Sequence, residues 1–147
     1  MNIRPAQLED SKEILAILEA NNMQGEVDPM QISGDNCLVA IENDRILGFV
    51  RLEFVGSVPY IRPIAIRPNA CKMGIGSKLL GIVLETYPLV RAVSRGGAAE
   101  FYRRLGFKRT NWNEVHPPFR EECDSCAERM QCAPQPIKFV ARRDRKE

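Results

Sequence analysis

Two stretches of this chain carry residue types at spacings that can do chemistry. The first is the glycine pair Gly74 and Gly76. It lies between apolar Ile64-Ala65-Ile66 and a helical recurrence of Ile75, Leu79, Ile82, Val83 and Thr86. The spacing predicts the end of a strand, a short loop and the start of a helix. Such a junction directs unpaired backbone N–H groups and the positive end of a helix dipole at one spot. That spot suits an anion, typically a phosphate. The dinucleotide fingerprint would need a glycine at Leu79, and the P-loop would need Gly-Lys-Ser/Thr; neither is present. The second stretch holds Cys123-x-x-Cys126 and then Cys132. A Cys-x-x-Cys spacing places two thiolates within reach of one metal ion. Cys132 would be a third ligand, and the only histidine, His116, a fourth, with Cys71 the other candidate for that place. Three readings stand side by side: a structural zinc site, an iron–sulfur centre, and reduced cysteines without metal, able to sense thiol chemistry.

The elements around these stretches set their context. A length of 147 residues suits a single domain, and 44% hydrophobic with 27% charged residues is an ordinary globular balance. The net charge of +2 does not by itself point to nucleic acid, which is not expected as a partner. No apolar run approaches the roughly 20 residues that span a bilayer, and the N-terminus carries no apolar signal segment. A cytoplasmic setting is therefore expected, without a membrane partner, and the five cysteines are read as thiols or ligands rather than disulfides. A homodimer is left open.

In chain order, a short strand at 2–5 precedes a helix whose stripe is Ile14, Leu15, Ile17 and Leu18. Residues 23–35 are irregular. Strands at 37–41 and 46–55 form a hairpin across Asn43-Asp44. The next strand, 60–66, contains Pro63, which cannot donate to a central ladder and predicts a bulge. After the glycine loop and its helix come a strand at 90–94, a helix at 98–105 ended by Gly106, a strand at 107–112 and a last strand at 137–141. Prolines 117, 118, 134 and 136 suggest an irregular, stapled segment at 113–136. The end of the chain, 138–147, is basic and reads as a solvated tail.

The run Cys71-Lys72-Met73-Gly74-Ile75-Gly76 after Ile66-Arg67-Pro68 resembles the acyl-CoA loop of the GNAT-type N-acetyltransferases, whose pattern is Arg/Gln-x-x-Gly-x-Gly/Ala. Cys71 stands where Arg or Gln is usual. A second stretch, Ala98-x-x-x-Tyr102-x-x-x-Gly106-Phe107, is similar to the pattern this family shows after the loop. Arg95 stands where the family often has Asn. The resemblance covers about residues 2–112. It implies an α/β fold: a mixed, mostly antiparallel sheet with flanking helices and a splayed fourth and fifth strand. It also implies one acyl-CoA N-acyltransferase domain over 1–147, with a Cys-rich insertion at about 113–136.

The activity so implied is transfer of an acetyl group from acetyl-CoA to a primary amine, on a small molecule or a peptide, by direct attack in a ternary complex. The cosubstrate site would comprise Ile64, Ala65 and Ile66 on the bulged strand and Cys71, Lys72, Met73, Gly74, Ile75, Gly76 and Ser77 in the loop. A backbone N–H around 64–66 would hold the developing oxyanion. Tyr102 is the candidate acid for the leaving thiolate, by resemblance. Glu53, alternating with Arg51 on the neighbouring strand, is the candidate base. Arg51 and Arg62 could instead bind an acidic acceptor. Two other readings compete: a non-catalytic acyl-CoA-binding sensor, and a metal-stapled interaction module.

Overall fold

The computed structural model describes residues 1–23, 25–32, 34–126 and 129–142. Residues 143–147 of the basic tail lie outside the described residues. Among the described residues, seven strands and five α-helices follow in the order β1 (Asn2–Ala6), α1 (Ser11–Ala20), β2 (Gly34–Glu42), β3 (Arg45–Val55), β4 (Val58–Ile66), α2 (Ile75–Thr86), β5 (Leu89–Ser94), α3 (Ala99–Arg104), β6 (Lys108–Arg109), α4 (Pro117–Asp124), α5 (Arg129–Cys132) and β7 (Gln135–Val140). The strands hydrogen-bond in the order β1-β2-β3-β4-β5-β7-β6. The sheet is mixed and mostly antiparallel, with a parallel β4–β5 pair whose register joins Tyr60 to Arg91. The chain divides into two compact units, Met1–Glu53 with Ile61–Val83, and Phe54–Tyr60 with Leu84–Glu147.

In the first unit, α1 buries Ile14, Ile17 and Leu18 against Val39, Ile46, Phe49 and Ala65. Each such side chain contributes about 1.5–3 kcal/mol on burial. Asn43 and Asp44 take left-handed φ values of 52° and 61°, which makes the tight β2–β3 turn that the sequence suggests. Gly48 on β3 has a packing role. A Cβ there would lie 2.8 Å from both Ile66 and Ile75 and 3.3 Å from Leu79, so its absence lets α2 settle close to the strand. The stripe of α2 departs from the sequence reading at Leu80, which is buried, and at Ile82 and Thr86, which are exposed. Ile75, Leu79, Leu80 and Val83 are buried, whereas Ile82 is exposed.

The second unit has its own apolar cluster of Tyr60, Val115 and Phe119, with Val55, Val58, Val93 and Trp112 packed on it. The strand expected at 107–112 is reduced to Lys108–Arg109. Trp112–Glu114 turns instead into a short 3-10 segment, in which Glu114 draws its backbone and side-chain partners together. Its carboxylate accepts hydrogen bonds from the Thr110 hydroxyl, Lys138 Nζ and the Asn111 N–H. These donors hold it well below the usual carboxylate range, at about 2.

Candidate acyl-CoA and acceptor site

The first unit contains every loop and strand residue assigned to the cosubstrate, together with Glu53. Its geometry starts with the fixing of β4's end. Arg67 donates its backbone N–H to Leu47 O at 2.8 Å and its guanidinium to Ile46 O at 3.0 and 3.1 Å. Asn21, just past α1, donates its side-chain amide to Ile66 O at 3.0 Å. The sequence marks Asn21 as a helix end. Its reach to a strand 45 residues away has no local signal. Ile64, Ala65 and Ile66 form the last residues of β4, with Ala65 buried. Where Pro63 predicted a bulge, the peptide bond before it, Arg62–Pro63, is cis.

Beyond β4, Pro68–Met73 coil as a 3-10 segment that ends at Gly74, whose φ of 72° is left-handed. A Cβ on Gly74 would meet nothing within 4 Å, so the space in front of it is open. Helix α2 begins at the next residue, and Lys78 N–H donates to Gly74 O at 3.1 Å. The N–H groups of Ile75, Gly76 and Ser77 therefore precede the first intrahelical donor and sit at the positive end of the helix. Cys71, Lys72, Met73, Gly74 and Ser77 are exposed, while Ile75 and Gly76 are buried beneath them. Cys71 points its thiol back at Arg67 O, 3.8 Å away. This is a helix start with an open rim.

Glu53 is not isolated. Arg51 Nη2 donates to it at 3.1 Å, and Arg62 Nε lies 3.8 Å from the same oxygen. Arg51 also donates to Arg62 O at 2.9 Å, and the residue is 8% exposed. Two guanidiniums thus face one carboxylate across β3 and β4.

In the second unit, Tyr102 lies on α3 with 6% exposure, between Phe101 and Phe107 at ring distances of 5.2 Å. Burial pushes its phenol pKa upward.

Among the described residues no group of three or more His, Cys, Asp or Glu side chains could hold an ion, so the structure gives zinc no support. Cys123 lies in the last turn of α4, Cys126 follows that helix and Cys132 ends α5. The His116 ring packs edge-on against Phe119 at 4.9 Å. What pins this segment is apolar and backbone packing. Phe119 meets Tyr60 at 5.0 Å, the His116 N–H donates to the Tyr60 hydroxyl at 3.1 Å, and the Cys132 carbonyl packs over Gly96. The anchors Val115 and Phe119 are single residues in a polar stretch. That is why periodicity does not reveal them.

An acetyltransferase (GNAT) domain model matches residues 33–109. The chain belongs to the GNAT acetyltransferase family. The GNAT fold extends over nearly the whole chain. N-acetylglutamate synthase from Neisseria gonorrhoeae, solved with coenzyme A and N-acetyl-glutamate, superposes with a TM-score of 0.77 at 19% identity, over 95% of this chain and 34% of the synthase. Ard1 from Thermoplasma volcanium gives 0.72 at 15% identity, over 95% of this chain and 97% of that one. The ribosomal-protein-alanine N-acetyltransferase of Brucella melitensis gives 0.60 at 22% identity, over 76% and 86%. The chain thus spans about a third of the length of the gonococcal synthase. At these identities the likeness is one of fold. No curated protein sequence is significantly similar to the chain. Among the described residues no helix is long and apolar enough to cross a membrane.

Proposed function

We propose that this GNAT-family chain is an N-acetyltransferase that moves an acetyl group from acetyl-CoA to a primary amine by direct attack in a ternary complex. The observation that carries this reading is the open, left-handed Gly74 at the start of α2, with the N–H groups of Ile75, Gly76 and Ser77 ahead of the first intrahelical donor. The pyrophosphate of CoA would lie on the loop from Cys71 to Ser77, and a backbone N–H among Ile64, Ala65 and Ile66 would receive the carbonyl oxygen as it becomes an oxyanion. The amine nitrogen attacks the thioester carbon, and the C–S bond breaks. Glu53 takes the proton lost by the amine, directly or through water. Tyr102 gives a proton to the leaving sulfur. Holding both substrates together supplies much of the rate. We assign residues 1–147 to one such domain, with residues 113–136 as its Cys-rich insertion. Five cysteines outside any disulfide fit a reducing, cytoplasmic setting.

Related folds act on different acceptors. One is named for N-acetylglutamate synthesis and another for ribosomal-protein alanine. The family therefore leaves the acceptor of this chain to its own residues. A second reading, acyl-CoA binding without transfer, is favoured by one observation: Glu53 is already engaged by Arg51 and Arg62. An amine panel with acetyl-CoA, read as free thiol released, separates the two. Turnover that falls in Tyr102→Phe supports the transferase. Acetyl-CoA binding with no turnover on any amine supports the sensor.

A further inference from the structure

One row of side chains in the second unit carries a charge pattern that the fold does not require. Strand register sets Tyr60 beside Arg91, Arg91 beside Lys138 and Lys138 beside Lys108, across β4, β5, β7 and β6. Residues paired in this way share one face of the sheet, so three cations stand in line on three adjacent strands. Like charges directly opposite each other are destabilising. One carboxylate is set against them. Glu114 Oε1 lies 3.4 Å from Arg91 Nη2 and 3.2 Å from Lys138 Nζ. Lys138, the Thr110 hydroxyl and the Asn111 N–H already satisfy that carboxylate. Arg91 and Lys108 therefore exceed what Glu114 needs. The Lys108 side chain is exposed and has no hydrogen-bond or ion-pair partner among the described residues. The Arg91 side chain is only 17% exposed, and its Nη1 is buried with no hydrogen-bond partner. Buried donors are normally paired, so an open one calls for an explanation.

We propose that Arg91, Lys138 and Lys108 form a binding site for a phosphate monoester. The three cations and Glu114 leave a surplus of two positive charges, which the dianion of a monoester matches. Neighbouring strands lie about 4.8 Å apart, so these long side chains can converge on one group. Arg91 and Lys138 already do so on a single Glu114 oxygen. The phosphate oxygens would give Arg91 Nη1 the acceptor it lacks, and the guanidinium fork suits phosphate bidentately. Lys138 and Lys108 would add point charges. Attraction scales with the charge on the ligand, so a dianion is favoured over the single charge of a diester. All of these residues belong to the second unit, whereas the acyl-CoA loop belongs to the first. The inference therefore stands independently of the transfer reaction.

The test titrates the wild-type chain, free of acetyl-CoA, with methyl phosphate and separately with dimethyl phosphate. Ionic strength is held constant, the pH is kept above about 7 so that the monoester is dianionic, and binding is read by phosphorus NMR. Saturable binding of methyl phosphate is expected, at least about tenfold tighter than that of dimethyl phosphate. Lys108→Gln should weaken it by about threefold or more, while the ligand-free unfolding midpoint stays level or rises, because a repulsion is removed. A row that merely holds the fold would show the reverse, lower stability with unchanged binding. Arg91→Lys, which keeps the charge but loses the fork, should weaken binding further. Saturating acetyl-CoA should leave methyl phosphate binding unchanged. The inference is overturned by the absence of saturable binding, by equal binding of the two esters, by undiminished binding in Lys108→Gln, or by displacement with acetyl-CoA, which would assign the row to the cosubstrate.

Discussion

The glycine loop ahead of α2 and the cysteine-rich segment at 113–136, expected to be irregular but carrying α4 and α5, are both rich in suggestive residues, yet they rest on different physics. The loop works through its backbone. A left-handed Gly74 and the start of a helix are set by residue type at each position, and the N–H groups follow automatically. A metal site works through side-chain convergence, which requires several distant torsions to agree. Cys-x-x-Cys spacing permits that convergence but does not enforce it. Here Phe119 and Val115 hold the segment instead. A backbone motif can be carried from sequence to structure with more security than a ligand set.

The largest effect separating the two regions should come from Phe119. Phe119→Ala removes a buried ring that meets Tyr60 and His116, and should cost about 3–5 kcal/mol in denaturant unfolding. If the loss is instead under about 1 kcal/mol, packing does not pin the segment. Tyr102→Phe should lower kcat about a hundredfold, the minimum usual for a lost acid, with KM for acetyl-CoA and the unfolding midpoint nearly unchanged. In ultraviolet titration the wild-type Tyr102 should remain un-ionised at pH 10, where an ordinary phenol is half ionised.

Gly74→Val tests the loop side directly. A side chain in left-handed backbone costs about 1–2 kcal/mol, and it would occupy the open space ahead of α2. Acetyl-CoA affinity should fall at least tenfold by calorimetry. A smaller effect belongs to the scaffold. Asp10 accepts two hydrogen bonds from Arg4, at 2.7 and 3.0 Å, and its pKa is lowered chiefly by that contact. A depressed carboxylate contributes stability above its unfolded pKa, near 3.8, that is lost as pH falls through the folded value. Asp10→Asn should therefore flatten the acid limb of the stability profile and reduce stability at neutral pH. The smallest change is expected from Cys123→Ser with Cys126→Ser, within about 0.5 kcal/mol, as for surface substitutions. A loss of several kcal/mol, matched by chelator treatment of the parent, would restore a metal to that segment.

Much of the fold could be read in residue order. The β2–β3 hairpin followed from Asn43-Asp44, and the α2 boundary from Gly74. Alternation marked Glu53 and Arg51 as strand neighbours on one face. Other features depend on partners remote in sequence. Asn21 on the Ile66 carbonyl, Gly48 beneath Ile66 and Ile75, and the engagement of Glu53 by Arg62 each join segments that no local pattern relates. The shift of the α2 stripe from Ile82 to Leu80 is of the same kind, because neighbouring surfaces choose between adjacent apolar positions. The β6 strand ends after the Thr110 N–H donates to Pro136 O of β7, where the Asn111 N–H turns to the Glu114 carboxylate instead.

The central claim is that the exposed start of α2 holds acetyl-CoA. Thermal unfolding of the wild-type chain with and without acetyl-CoA tests it most directly. Ligand at a hundred times its dissociation constant adds about 2.7 kcal/mol, which in a chain of this size should raise the midpoint by roughly 5–10 °C, and Gly74→Val should lose that rise. An unchanged wild-type midpoint at saturating acetyl-CoA would contradict the assignment of the loop and the transfer chemistry built on it.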